Sequence, residues 1–368
     1  MFDTMDEARN SLLSLVIKLK GYSLLLDHDD DTSVRIHDLV HDVAIDIASR
    51  DGQLLSVACG DEFKTWPKNS KYSKISTKSG SLVALSDAWE CKKFEMFYLR
   101  CEDKYRSLRV PNSFFANMEE LKVLGLRNVT INFTSLKFLK NLQTLCLEDC
   151  IVEEDIALVG ELRKLGILSL VDTNIEQLTD EIGELSCLQL LDLTGSCSLN
   201  VIAPNVLSRL TRLEDLRIRH STNGWEDEDE GERSNASLSE LKHLSRLTAL
   251  EIHIPDPDML PEDLFSVKLE RFHVLIGNAA YENERSMNTL ALQFTTGDKL
   301  DEGLKTLVKK SEDLSFMGVD NANQIAQLLD GEAVGKVKHL YLGELDSTYI
   351  TNSKVFVVRR RKGAKMSN

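Results

Sequence analysis

Apolar and polar residues alternate in a short pattern that recurs along most of the chain. In each copy an anchor residue, most often leucine, is followed three residues later by two apolar residues that flank one variable position. The clearest copies are LKVLGL at 121, LQTLCL at 142, LGILSL at 165, LQLLDL at 188, LEDLRI at 213, LTALEI at 247 and LERFHV at 269. Their starts lie 21, 23, 23, 25, 34 and 22 residues apart. Alternation of this kind predicts a short, half-buried strand in every copy.

Weaker copies extend the pattern toward both ends of the chain. They are FEMFYL at 94, LALQFT at 290, SEDLSF at 311 and VKHLYL at 337, and YSKIS near 72 is a candidate first copy. A further apolar residue stands three positions before the anchor and should pack from the return segment onto the strands: Met118, Leu139, Leu162, Leu185, Leu210 and Leu244. The period and the LxxLxL template are typical of leucine-rich repeats. Because one unit cannot bury its apolar side alone, we predict an α/β leucine-rich-repeat solenoid, a horseshoe of stacked units.

The variable position between the paired inward residues should face outward on the concave side of the horseshoe. These positions are Gly125, Cys146, Ser169, Asp192, Arg217, Glu251 and His273. They do not supply the nucleophile, base and orienting group that acyl-transfer chemistry needs, so we expect a binding surface and no enzyme activity. The residues predicted to form it are Asp192, Arg217, Arg219, His220, Glu251, His253 and His273, with Arg217, Arg219 and His220 as a local basic patch.

The charge balance limits the partners that this surface can bind. The formal net charge of -15 argues against nucleic acid and against an anionic membrane, since both select clustered lysine and arginine. Acidic residues concentrate in the insertion GWEDEDEGE at 224–232, which lengthens one unit to 34 residues. This insertion is either a solvated loop or a contact with a protein partner.

The cysteines and the amino terminus favour an intracellular protein. The start of the chain lacks the basic residues and the long apolar segment of a secretory signal, and we expect no stable membrane insertion. The seven cysteines include no CxxC pair, which is typical of reduced thiols. On the repeat template Cys150 takes a buried position and Cys146 faces outward, so we predict no metal at this pair. These features together predict a cytoplasmic location.

The stretch IHDLVHDVAIDIAS, residues 36–49, allows more than one interpretation. The apolar residues Ile36, Leu39, Val40, Val43 and Ile47 fall on one side of a helix. His37 and His41 have the spacing of a zinc hydrolase helix, with Asp38 where such enzymes carry glutamate. Catalytic zinc needs a third protein ligand, and none stands downstream at a recognisable spacing. A purely structural, solvated helix is the other simple alternative.

This stretch and the repeats that follow resemble the plant intracellular immune receptors of the nucleotide-binding, leucine-rich-repeat type, particularly those with an amino-terminal coiled coil. In that family a winged-helix domain ends in a Met-His-Asp motif followed by a helix. Here Ile36 replaces the methionine, and His37 and Asp38 match the rest. The preceding residues resemble the end of a winged helix: an amphipathic helix, an apolar strand at 22–26, an acidic turn and a short strand. The resemblance covers residues 5–350 approximately.

The resemblance implies a partial winged-helix segment in front of the solenoid and a switch driven by ADP and ATP. His37, with Asp38 as a supporting contact, would lie against the phosphates of ADP. The repeats would sense a pathogen effector or a modified host protein and would restrain the nucleotide-binding domain of the same or another receptor. The implied divisions are 1–50 for the end of the winged helix, 51–70 for a connector, 71–350 for the repeats and 351–368 for a basic, disordered tail.

The chain departs from the family pattern in lacking a P-loop. The motif GxxxxGK followed by serine or threonine occurs nowhere, and Gly335-Lys336 is followed by Val337. We therefore expect this chain alone to bind ADP weakly or not at all. The alternative function is a repeat adaptor or decoy without a nucleotide switch, such as a substrate adaptor of a ubiquitin ligase, which would need a helical ligase-docking motif near its amino terminus.

Overall fold

The structure is a computed structural model. It describes residues 3–28, 33–51, 54–57, 73–79, 85, 92–102, 108–220, 224–226, 233–266, 268–277, 288–293, 301–317, 336–342 and 356–358. Most of these residues belong to the repeats, and the described residues between 3 and 51 form a small helical unit that precedes the repeats in the chain.

The amino-terminal unit contains two helices and a two-stranded antiparallel sheet. Helix α1 spans Met5–Gly21, strands β1 and β2 span Leu25–Asp27 and Val34–Ile36, and helix α2 spans Asp38–Arg50. The Thr4 side chain caps α1 by accepting from the backbone N–H of Glu7. Acidic residues in the first turn and lysines in the last turn complement the helix dipole.

Fourteen parallel strands form the main sheet, in chain order apart from the small strands on the other side of the solenoid. They are β3 (Leu54–Val57), β4 (Lys74–Ser79), β5 (Met96–Cys101), β7 (Val123–Arg127), β9 (Thr144–Glu148), β11 (Ile167–Val171), β13 (Leu190–Asp192), β15 (Asp215–Ile218), β16 (Ala249–Ile254), β17 (Arg271–Ile276), β18 (Asn288–Gln293), β19 (Asp313–Met317), β20 (His339–Leu342) and β21 (Phe356–Val358). Each described repeat thus contributes one strand, and neighbouring repeats share one hydrogen-bonded ladder.

The return segments carry shorter elements. The strands β6 (Leu108–Arg109), β8 (Val129–Ile131) and β10 (Ile151–Val152) form a second parallel sheet, and β12 (Gln177–Leu178) pairs with β14 (Val201–Ile202). The α-helices α3 and α4 span Val206–Arg209 and Glu302–Lys310. Short 3-10 helices span Phe133–Phe138, Ile156–Glu161, Asp180–Glu184, Leu238–His243, Pro257–Met259 and Leu264–Ser266.

The core lies between the main sheet and the return segments, as the repeat template predicts. The paired inward apolar residues are buried in every clear unit, and so are the residues three positions before the anchors: Met118, Leu139, Leu162, Leu185, Leu210 and Leu244. Cys150 is also buried, and its thiol donates to the carbonyl of Leu126 at 3.4 Å. The α/β leucine-rich-repeat solenoid is therefore confirmed.

The structure differs from the sequence interpretation at four places. Strand β18 begins at Asn288, so the copy placed at 290 is out of register. Strand β3 lies within the stretch interpreted as a connector, and β21 lies within the stretch interpreted as a disordered tail. Ile36 ends β2 and does not belong to helix α2, because the helix begins only at Asp38.

Candidate interaction surface

The outward positions predicted from the repeat template form one continuous row across the main sheet. In strand order they are Gly125, Cys146, Ser169, Asp192, Arg217, Glu251 and His273, and strand pairing extends them with Thr289, Asp313 and His339. We call this set the middle row. Its first members are small and neutral, whereas most members from Asp192 onward are ionisable. The charge of the exposed sheet face is therefore concentrated in the second half of the solenoid.

Arg217 lies within a network of ion pairs. Its Nε lies 3.0 Å from Asp215 Oδ1 and 3.6 Å from Glu251 Oε1, and its Nη1 lies 3.5 Å from Asp192 Oδ2. Burial acts to lower the pKa of Arg217, but the hydrogen bonds and negative charge of Asp215 outweigh it and raise that pKa above its ordinary value. The guanidinium therefore stays charged and partnered.

The predicted basic patch is consequently a mixed-charge cluster. Arg219 Nε lies 2.8 Å from Glu251 Oε2, at an angle that makes an ion pair but no hydrogen bond. His220 is exposed, with a left-handed φ of 55°, and His253 Nε2 lies 3.0 Å from the carbonyl oxygen of Gly277. The prediction of a local basic patch at Arg217, Arg219 and His220 was wrong, because Asp192, Asp215 and Glu251 neutralise both arginines.

The first turn of α1 contacts the edge of the sheet where strands β13, β15 and β17 begin. The backbone N–H of Met5 donates to Glu214 Oε2 at 2.7 Å. Gln189 Nε2 donates to the carbonyl oxygen of Asp3 at 3.0 Å. Glu214 is almost fully buried, so its carboxylate is held between the sheet edge and the amino terminus of the helix.

Two ion pairs join the same helix turn to the same edge. Arg9 donates to Asp215, and Asp6 lies 3.1 Å from Arg271. Asp215 lies on the exposed sheet face by strand alternation but is fully buried, because Arg9 and Arg217 both cover it. We call Gln189, Glu214, Asp215 and Arg271 the docking edge. The sequence interpretation missed this contact.

His37 does not lie within a helix but caps one. Its Nδ1 accepts from the backbone N–H of Leu39 at 3.2 Å, so in the neutral imidazole the proton is on Nε2. The ring and the neighbouring Asp38 are exposed. His41 instead lies on the first turns of α2, with its Nδ1 3.3 Å from Asp42 Oδ1. His37 therefore precedes the helix in which the zinc interpretation placed both histidines.

The acidic insertion is anchored at its start. Trp225 is 7% exposed and belongs to the core, and Glu226 accepts from the backbone N–H groups of Ser234 and Asn235. The hydrogen bond from the Ser234 hydroxyl, followed by those from the backbone N–H groups of Asn235 and Ser234, lowers the pKa of the Glu226 carboxyl. Residues 227–232, on which the alternative of a solvated loop or a partner contact rests, lie outside the described residues.

Neither a metal centre nor a membrane span is found in the part of the chain that the structure describes. Histidine, cysteine, aspartate and glutamate side chains do not gather there in groups of three or more that could hold a metal ion. No described helix has the length and the apolar character needed to cross a bilayer.

Stability should depend on pH through His273. Burial, followed by the positive charges of Arg219 and His220, lowers the pKa of His273 to about 4, although Asp313 acts in the opposite direction. The unfolded chain then binds a proton near pH 6.5 that the folded chain does not, so stability is lost between about pH 6.5 and pH 4. We expect unfolding in urea to show about 2 kcal/mol less stability at pH 5 than at pH 7 from this group.

His273→Gln should remove most of that pH dependence, whereas the same change at the exposed His243 should leave it in place. An unchanged pH slope in the His273 variant would contradict this assignment.

Comparison with known proteins finds a curated relative but no matching family model. A disease resistance protein of Arabidopsis thaliana is 28% identical over 288 residues, which cover 75% of this chain and 29% of that protein. The chain therefore spans about three tenths of the length of the curated relative it matches.

Solved repeat proteins are similar in fold. An internalin from Listeria monocytogenes has a TM-score of 0.46 and 14% identity, covering 87% of this chain and 91% of its own. Toll, solved in its complex with Spatzle from Drosophila, has a TM-score of 0.47 and 12% identity. The match covers 84% of this chain and 47% of the Toll chain. The repeat ectodomain of a membrane receptor kinase from Arabidopsis thaliana has a TM-score of 0.36 and 15% identity. The match covers 74% of this chain and 36% of the ectodomain chain. The fold assignment rests on the strand ladder and the repeat template described above.

Proposed function

We propose that this chain is the recognition and autoinhibition module of a plant immune receptor that acts in the cytoplasm. Its repeats would bind a pathogen effector or a modified host protein, and they would restrain an ADP/ATP switch in the nucleotide-binding domain of the same or another receptor. The similarity to a protein named for disease resistance supports this role. So does the junction of a His-Asp helix with leucine-rich repeats in one chain.

The observation that carries the proposal is the polar contact between the first turn of α1 and the docking edge. It joins the unit that contains His37 to the exposed sheet face where a protein ligand would bind. No residue of α1 is buried, so apolar packing contributes little to holding this helix in place. A ligand that prefers the undocked arrangement can therefore shift the population without disrupting the core.

The nucleotide enters this proposal through His37 and Asp38 alone. The exposed ring of His37, with its proton on Nε2, fits a contact to a phosphate oxygen. Asp38, in the first turn of α2, favours the helix that holds this ring in place. When bound, ADP or ATP would supply the phosphate charge that these residues read. The loop that would cradle the phosphates has no counterpart in this sequence.

Arg9→Ala should release the first turn of α1 from the docking edge. Loss of the ion pair with Asp215 removes one of the charged links, and we expect the amide hydrogens of residues 5–9 to exchange at least tenfold faster. Raising the salt concentration should have the same effect in the unmodified chain, since these contacts are partly exposed to solvent. Hydrogen exchange followed by mass spectrometry or NMR measures both.

Lys20→Ala is the matched control, because Lys20 lies on the same helix but pairs with the exposed Asp27. In leaf cells, Arg9→Glu in the longest transcript should raise defence signalling in the absence of a pathogen, whereas Lys20→Glu should not. Equal signalling by the two variants would contradict the proposal that α1 docking restrains the receptor.

The transcript upstream of the Met1 codon should also encode an in-frame P-loop. A stop codon there instead would leave a repeat module without a nucleotide switch.

A further inference from the structure

A second row of outward residues lies at the edge of the sheet where the strands begin. Strand pairing places its members side by side on five consecutive strands: Met96, Val123, Thr144, Ile167 and Leu190. We call this set the edge row. The first four side chains are partly exposed, although three of them are apolar and the fourth carries a methyl group. A continuous strip of partly exposed apolar side chains along one edge of a sheet face is a mark of a protein contact.

An exposed lysine lies at one end of the edge row, and at the other end lies a buried carboxylate that Arg9 and Arg217 already neutralise. Strand pairing places the exposed Lys74 beside Met96 and Asp215 beside Leu190. At the Asp215 end the row runs directly into the docking edge, where Arg9 of α1 already binds a carboxylate. The apolar strip is therefore continuous with a contact that the structure shows to accept the charged turn of a helix.

The spacing of the row decides which kind of segment fits it. Neighbouring strands lie about 4.8 Å apart, so the five residues span about 19 Å. An α-helix laid across the strands presents one side chain per turn at intervals of about 5.4 Å, close to the strand spacing. An extended peptide presents alternate side chains at about 6.7 Å and falls out of step by about 2 Å at each strand. A helix of about 13 residues therefore matches all five strands.

We propose that the edge row binds an amphipathic α-helix of a protein partner, with the apolar side of the helix on Met96 to Leu190. The end of that helix near Lys74 is acidic, and the end near Asp215 carries an arginine that competes with Arg9. This inference rests on the proposed recognition function and names the kind of segment recognised. Binding and release of α1 are then coupled, because the partner and the first turn of α1 meet at the same carboxylates.

The test uses the full chain and a synthetic helical peptide of about 18 residues, long enough to span the row. The peptide is built from alanine, leucine, glutamate, lysine and arginine, with leucine at every third or fourth position, glutamate in its first turn and arginine in its last. A second peptide of the same composition distributes the leucines around the helix. Fluorescence anisotropy should show that the ordered peptide binds at least tenfold more tightly than the scrambled one.

Two residues of strand β11 provide a matched pair of variants. Ile167 lies in the edge row and Val171 at the other end of the same strand, and both are partly exposed on the same face. Ile167→Asp should weaken binding of the ordered peptide at least tenfold, and Val171→Asp should leave it within twofold. Arg9→Ala should strengthen binding severalfold, because it removes the guanidinium that competes with the partner's arginine for Asp215, although Arg217 stays paired with that carboxylate.

Equal binding of the two peptides, equal losses in the two β11 variants, or failure of the ordered peptide to bind either the unmodified chain or the Arg9→Ala chain would overturn the inference. The exchange experiment on α1 is independent of the peptide. If Arg9→Ala speeds exchange in α1 as expected but the peptide does not bind as expected, the proposed restraint stands. Only the proposal that the edge row binds a helix is then wrong.

Discussion

Glu240→Ala should destabilise the chain by about 3–4 kcal/mol, among the largest losses expected from any single polar side chain in the described repeats. The Glu240 side chain is buried and belongs to the capping box that Ser237 opens. Its two oxygens accept from the backbone N–H groups of Asn205, Leu207 and Ser208 at 2.8, 3.2 and 3.4 Å. These donors belong to the start of helix α3, which has no side-chain cap of its own.

The size of the effect follows from burial. Alanine would leave several backbone donors without an acceptor inside the protein, and each costs about 1–3 kcal/mol when water cannot replace the lost partner. Because the carboxylate joins α3 to the following repeat, the loss should also reduce cooperativity between repeats. Glu240→Gln keeps the shape and one accepting oxygen, so we expect about half of the loss.

Urea unfolding measures the total loss, and hydrogen exchange at the amides of Leu207 and Ser208 locates it. Glu181→Ala changes an exposed glutamate of another return segment and should stay within about 0.5 kcal/mol. If exchange at Leu207 and Ser208 were unaffected by Glu240→Ala, the capping role assigned to this carboxylate would be wrong.

The repeat architecture could be predicted because its information is local. Six consecutive residues are enough to identify the inward apolar positions of each unit. The period of the repeat then shows which units are neighbours in space. The prediction failed at β18 because Asn288 stands where the template expects an apolar residue. Strand pairing places Asn288 beside Phe272, and its Oδ1 accepts from the backbone N–H of Phe272 at 3.1 Å. A polar side chain satisfied in this way holds the register without the leucine that marks it.

The mixed-charge cluster could have been predicted from the same template. Asp192, Arg217 and Glu251 are consecutive members of the middle row. The template therefore places opposite charges side by side on neighbouring strands. The docking of α1 is different in kind. It joins Met5 to Glu214 and Arg9 to Asp215 across 209 and 206 residues of sequence, and no periodic pattern links such positions. The register of one element therefore follows from sequence, whereas the placement of a separate helix does not.

Phe114→Ala should lower the free energy of unfolding by about 3–5 kcal/mol. It removes the centre of an aromatic cluster in the return segment between β6 and β7. The ring of Phe114 lies edge-on to Phe97 at 5.6 Å and to Phe115 at 5.0 Å between centroids. All three side chains are fully buried, so alanine would leave a cavity that the neighbouring strands cannot close. Near-ultraviolet circular dichroism and urea unfolding would record the loss of packing and of stability together.

Phe138→Ala is the matched control, since this ring is only partly buried and lies 5.1 Å from Lys137 Nζ. We expect it to cost about 1 kcal/mol, the scale of partial burial and a surface cation–π contact. Phe114→Leu should recover more than half of the loss, because it refills most of the cavity. Since Phe97 belongs to β5, which carries Met96 at one end of the edge row, the cavity variant should also weaken binding of the helical peptide. If Phe114→Ala unfolded the chain no more readily than Phe138→Ala, the cluster would not be the packing centre that joins the first repeats.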